Sequence, residues 1–123
     1  MRERDVIVPP TEIAPPIVYY LGCFADAEER ALPDSLLHSD EMTHQLCFAH
    51  CSNGGFRYAG LQYSIQCFCG RDGVAYDIHG QREETECRST CRGDADQICG
   101  GAWRMNIYAL HSKSVKMKPR AKI

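Results

Sequence analysis

Ser39-Asp40-Glu41-Met42-Thr43-His44-Gln45-Leu46-Cys47-Phe48-Ala49-His50-Cys51 is the stretch on which the fold turns. Its spacing predicts a helix, with Met42, Leu46 and Cys47 on one face and Cys51 one turn beyond Cys47. Ser39 or Asp40 is the expected N-cap, and the acids at the start suit the positive end of the helix dipole. Asn53-Gly54-Gly55 then closes the helix, because glycine accepts the left-handed cap conformation. A few residues on, Gln66-Cys67-Phe68-Cys69-Gly70 reads as a strand with both thiols on one face, where they cannot bridge each other. Cysteines at i and i+4 on a helix also point side by side, which makes a bridge between them awkward. Two thiols on a helix face opposite two on a strand face invite a double staple. Cys47 and Cys51 are expected to pair with Cys67 and Cys69, with the choice of partner open.

Further strands are expected on either side. Ile17 to Phe24 is a strand-like run, and so is Phe56-Arg57-Tyr58-Ala59-Gly60-Leu61-Gln62-Tyr63. Trp103 to Leu110 alternates apolar with polar residues at Trp103, Met105 and Ile107, the pattern of a half-buried strand. Residues 71–82 read as loop, and Glu83 to Cys91 as a second, short helix that again sets two cysteines four apart. The fold class is therefore α+β: a small disulfide-rich domain whose antiparallel sheet packs with one helix and a short second one. Before it, Pro9-Pro10-Thr11-Glu12-Ile13-Ala14-Pro15-Pro16 has the character of an extended linker. After His111 the chain turns polar and basic. The expected organisation is a Pro-rich linker over 1–16, a domain over 17–111 and a basic disordered tail over 112–123.

Eight cysteines in a chain of this length indicate a bridge framework, which persists in oxidising compartments. The competing reading is zinc. Cys47-x3-Cys51 and Cys87-x3-Cys91 have ligand-like spacing, with His44 and His50 nearby, but Cys67-x-Cys69 is too tight for a knuckle. Eight thiols would also require two complete tetrahedral sites, so no metal is expected. The segment 17–111 carries seven Arg and no Lys against thirteen acids, which argues against nucleic acid as a partner. No apolar run is long enough to span a bilayer, and Val6-Ile7-Val8 is too short for the core of a signal peptide. The chain reads as a fragment of a secreted or membrane-anchored protein, its targeting sequence missing.

Taken together, several motifs are similar to those of the WSC domain family. They are Tyr20-Leu21-Gly22-Cys23-Phe24, the helix with Cys47-x3-Cys51, Tyr58-Ala59-Gly60-Leu61-Gln62-Tyr63, Gln66-Cys67-Phe68-Cys69-Gly70, Cys87-x3-Cys91, Cys99-Gly100-Gly101-x-Trp103 and Ile107-Tyr108. The family comprises cysteine-rich modules of fungal cell-wall stress sensors, Kremen-type receptors and polycystin-1, and the resemblance covers residues 19–110 with all eight cysteines in order. It implies the pairing Cys23–Cys87, Cys47–Cys67, Cys51–Cys69 and Cys91–Cys99. Where many members have Gly-Asn after the seventh cysteine, this chain has Arg92-Gly93-Asp94.

The sequence holds no converging catalytic set. Its histidines are scattered, no serine sits in a Gly-x-Ser-x-Gly elbow, and no glycine-rich phosphate loop points to a cofactor. Binding is the expected class, and the resemblance implies carbohydrate recognition outside the cell, of cell-wall or extracellular-matrix glycans. Sugars are held by aromatic faces flanked by planar polar groups. The candidates are Tyr58, Tyr63, Tyr76 and Trp103, with Gln62, Asp77, Arg104 and Asn106 beside them. Tyr63 and Tyr76, near expected loop ends, carry this reading best. Trp103, Phe56 and Phe68, beside cysteines and glycines, are expected to cover the disulfide core. The alternative is a protein-interaction or spacer module of a receptor or sensor ectodomain, with Arg92-Gly93-Asp94, an integrin-type tripeptide, as its concrete form. Neither Asn53 nor Asn106 begins an N-glycosylation sequon.

Overall fold

A computed structural model of the chain describes residues 16–111. The expected linker (apart from Pro16) and the basic tail lie outside the described residues. In chain order the elements are β1 (Ile17–Ala25), β2 (Ser35–His38), α1 (His44–Asn53), β3 (Tyr58–Gln62) and β4 (Gln66–Gly70). There follow β5 (Gln81–Arg82), a single 3-10 turn (Glu84–Glu86), β6 (Thr90–Cys91), β7 (Asp94–Ile98) and β8 (Arg104–His111). Six strands form one antiparallel sheet in the order β2-β4-β3-β8-β1-β5, and β6 and β7 make a separate hairpin. β1 and β8, the first and last strands, pair from Ile17↔His111 to Ala25↔Arg104. A bulge between Tyr20 and Gly22 breaks their register, with Gly22 at φ 138.

Strand alternation splits the interior into two clusters, one on each face of the sheet. Cys67 and Cys69 of β4, Ala59 and Leu61 of β3 and Leu110 of β8 face the helix, where Met42, Cys47 and Cys51 meet them. Phe68, Met105 and Ile107 face the other way and are covered by loops that bring in Ala31, Leu32, Val74 and Tyr76. On that side Gly60 leaves room for the Met105 side chain, which a β-carbon there would strike. Four disulfides tie the layers together: Cys23–Cys87, Cys47–Cys67, Cys51–Cys69 and Cys91–Cys99. The molecule is α+β and disulfide-rich.

Several expected boundaries move. The helix starts at His44, not near Ser39: Thr43 is its N-cap, with Oγ1 accepting from Leu46 N at 3.0 Å, and no acid occupies the first turn. Residues 39–41 are spent on a turn in which Ser39 Oγ accepts from Glu41 N, carrying the chain off the edge strand β2. The second helix shrinks to Glu84–Glu86 because Cys87 and Cys91 serve different partners. Between them the backbone is not helical, and Ser89 exchanges hydrogen bonds with Gly100 and Cys99. The end of the expected 71–82 loop joins the sheet as β5, pairing with Cys23 and Phe24. Trp103 lies in the turn before β8, at φ 57, rather than within the strand.

Candidate functional site

Three residues other than glycine adopt left-handed backbone angles among the described residues: Tyr63 (φ 59), Ser64 (φ 70) and Trp103 (φ 57). Such a conformation costs about 1–3 kcal/mol per residue and persists only where the surroundings hold it. Here they do. Ser64 N donates to Cys99 O and Arg92 N to Ser64 O, so the turn between β3 and β4 is clamped by the bridged Cys91–Cys99 hairpin. The turn before β8 is closed by reciprocal bonds between Gly101 and Arg104, and Trp103 O accepts from Asp26 N at 3.0 Å. Gly100 leads into it at φ 70, where a β-carbon would collide with the carbonyls of Leu61 and Arg104.

The strained turns present their side chains to one cleft of about 310 Å³, lined by Arg30, Gln62, Tyr63, Gln66, Ala102 and Trp103. Tyr63 is 57% exposed and Trp103 45%. The carbon of the Arg30 guanidinium lies 4.9 Å from the ring centres of both Trp103 and Phe68. Its charge is met by Asp26 at 2.9 Å, a carboxylate whose other oxygen accepts from Ala31 N. Gln62, at the end of β3, is 3% exposed, and its Oε1 is buried with no hydrogen-bond partner among the described residues. The cleft thus combines two exposed aromatic side chains, a neutralised cation and an unsatisfied amide.

Of the candidates read from the sequence, Gln62, Tyr63 and Trp103 come together here. Trp103, expected to cover the disulfide core, is instead among the more exposed aromatic side chains. Phe68 is buried, but on the sheet face away from the helix-to-strand disulfides; Phe56 does pack on the disulfide cluster. Tyr58 and Tyr76 do not join the cleft. Their rings pack 5.1 Å apart at the opposite end of β3, with Phe24 against Tyr76, as part of the second cluster. Asp77 is exposed on the loop before β5 and does not line the cleft. Arg104 pairs with Glu86, and buried Asn106 accepts from Gly100 N and donates to the Tyr20 hydroxyl. Arg30 and Gln66 were not singled out in the sequence. Arg30 sits in a loop with no periodic signal, and only the fold carries it over Trp103.

A second groove of about 570 Å³ runs past Tyr20, His44, Glu84 and Tyr108, but its polar groups are largely spent on one another. Tyr20 donates to Glu84 at 2.6 Å, the second Glu84 oxygen accepts from Cys23 N, and a His44 ring nitrogen lies 2.7 Å from Ile98 O. Burial, with the Glu84 hydrogen bond adding to it, pushes the Tyr20 hydroxyl well above the ordinary phenol range; burial raises Tyr108 in the same direction. Two clusters have metal-like proximity, His44/Cys91/Cys99 and Cys47/Cys51/Cys67. Their sulfurs are joined in disulfides and so lack the thiolate charge that zinc requires. The Arg92-Gly93-Asp94 tripeptide is committed locally: Gly93 packs on the Glu41 and Met42 carbonyls, and Asp94 Oδ1 accepts from Asp96 N.

The WSC domain family model matches residues 20–101. A WSC domain-containing protein of Arthroderma benhamiae is 36% identical over 102 residues, 81% of this chain and 11% of that protein. Kremen protein 1 of Mus musculus is 36% identical over 89 residues, covering 72% of the chain and 19% of the relative. Xylosyltransferase oxt of Drosophila melanogaster is 37% identical over 90 residues, 72% of the chain and 10% of the relative. The chain therefore spans only a tenth to a fifth of the length of these relatives.

Proposed function

The chain belongs to the WSC domain family, and we propose that it is a non-catalytic, extracellular carbohydrate-binding module for cell-wall or extracellular-matrix glycans. The observation that carries this reading is the pair Tyr63 and Trp103, both kept exposed over one cleft at the expense of left-handed backbone. A fold gains nothing from strained turns that hold aromatic faces in water. A pyranose ring does, because its C–H face stacks on an indole or phenol while its hydroxyls reach the flanking amides of Gln62 and Gln66. Four disulfides support an oxidising, extracellular setting. On this reading the module does no chemistry of its own: its histidines are each engaged in a separate local contact.

Binding to a panel of immobilised polysaccharides tests the proposal. Tyr63→Ala and Trp103→Ala should each weaken binding about tenfold or more while the far-ultraviolet circular dichroism and cooperative thermal melt of the folded protein are kept. Tyr76→Ala, which removes packing rather than cleft surface, should lower thermal stability instead. A second reading, a protein-interaction module of a receptor or sensor ectodomain, is favoured by Ile17, Tyr19 and Tyr20, exposed along β1. It takes over if no polysaccharide on the panel is retained.

A further inference from the structure

We infer that the Gln62 amide makes the cleft selective for neutral pyranosides, by taking a sugar hydroxyl as the hydrogen-bond partner that the protein withholds from it. This rests on the glycan reading above and names the class of sugar. Gln62 ends β3 at 3% exposure with an unpaired Oε1, although the same strand supplies Ala59 and Leu61 to the core. A buried acceptor left unpaired is a net cost to folding, and a methionine of similar length would avoid that cost. Gln62 lines the same cleft as Tyr63 and Trp103, which places its amide beside a ligand stacked on them. A hydroxyl both donates and accepts, so it satisfies either end of the amide.

Charge sets the second half of the selectivity. Among the described residues Arg30 is the one charged residue lining the cleft; Asp26 neutralises it, and the rings of Trp103 and Phe68 lie against it. Gln62, Tyr63, Gln66, Ala102 and Trp103 add no charge. Sulfated or uronic sugars would meet no uncompensated cation, on a domain whose acids outnumber its arginines thirteen to seven over residues 17–111.

The test measures binding of the full chain, by titration calorimetry, to four probes: a β-glucan oligosaccharide, a neutral xylan oligosaccharide, heparin and polygalacturonate. The expected result is binding to one or both neutral probes and none to the acidic pair. Gln62→Met should weaken neutral binding about tenfold while raising the melting temperature, a pairing that mere damage to the fold does not produce. Single-hydroxyl deoxy analogues of the bound sugar give the same information without a variant: one position should cost the wild type about tenfold. Neutral binding that is lost in Trp103→Ala but unaffected by Gln62→Met and by every deoxy position overturns this inference and leaves the glycan reading standing. Preference for heparin or polygalacturonate that is lost in Trp103→Ala, and so arises in the cleft rather than at the basic residues 113–122, also overturns it. Retention of none of the four overturns both.

Discussion

Tyr20 shows how a single hydroxyl can tie distant parts of the chain. It donates to Glu84 and accepts from Asn106, whose own oxygen holds the Gly100 N–H, so β1, β8, the 3-10 turn and the Gly100 turn share one network. Its hydroxyl, and that of Tyr108, bind their protons more tightly in the folded protein than in the unfolded chain. The stabilisation this brings is complete below the unfolded phenol value, about pH 10, and is lost as pH climbs toward the folded values. Urea midpoints measured from pH 8.5 to 11 should therefore fall at the alkaline end. Tyr20→Phe should start from a lower midpoint and fall less steeply. An equal slope in the two proteins would remove Tyr20 from the account. Trp103 carries two readings in the sequence, a sugar-binding candidate and a cover for the disulfide core. Glycines and a cysteine before it suggested core, and nothing local announced the positive φ that turns its ring outward.

At the scale of the elements, the helix and its two bridges to β4 were legible because periodicity alone puts two sulfurs on a helix face and two on a strand face. Which sulfur meets which was not; that came from resemblance. The start of the helix was misjudged because Ser39, Asp40 and Thr43 are all good caps, and only the path of the chain off β2 selects Thr43. Thr43→Ala should therefore cost about 1 kcal/mol, whereas Asp40→Ala, whose contact with Arg92 is 3.6 Å between exposed groups, should stay within about 0.5 kcal/mol. Chemical denaturation of the two variants decides between the caps. β2 went unread because four residues, with Leu36 half exposed and Leu37 partly buried, carry too short a pattern. Cys87 and Cys91 imitated a helical pair, but bridges to Cys23 and Cys99 pull them apart.

For the molecule as a whole, disulfides stand in for a larger core. In the chain-entropy picture the Cys23–Cys87 bridge, closing 64 residues, contributes about 4 kcal/mol, and Cys91–Cys99, closing 8, about 2.5 kcal/mol. Replacing the first pair by alanine should thus lower stability more than replacing the second, while the second should loosen the Tyr63 turn it clamps. Thermal melts alongside glycan binding would separate the two effects. The cleft itself was only half visible in sequence: Gln62-Tyr63 stood at a strand end, but Arg30 and Trp103 reach it through tertiary folding. One feature of the topology governs how the module responds to mechanical load. Ile17 and His111 are neighbours, so tension applied through them would unzip β1 from β8 pair by pair instead of shearing them. Once it reached Cys23, the load would cross covalently to Cys87, and again from Cys91 to Cys99, leaving residues 24–86 and 92–98 outside the stretched path. Tyr63 lies on the sheltered side of that path and Trp103 on the pulled side, so a taut chain would draw apart the two rings that a slack one holds together.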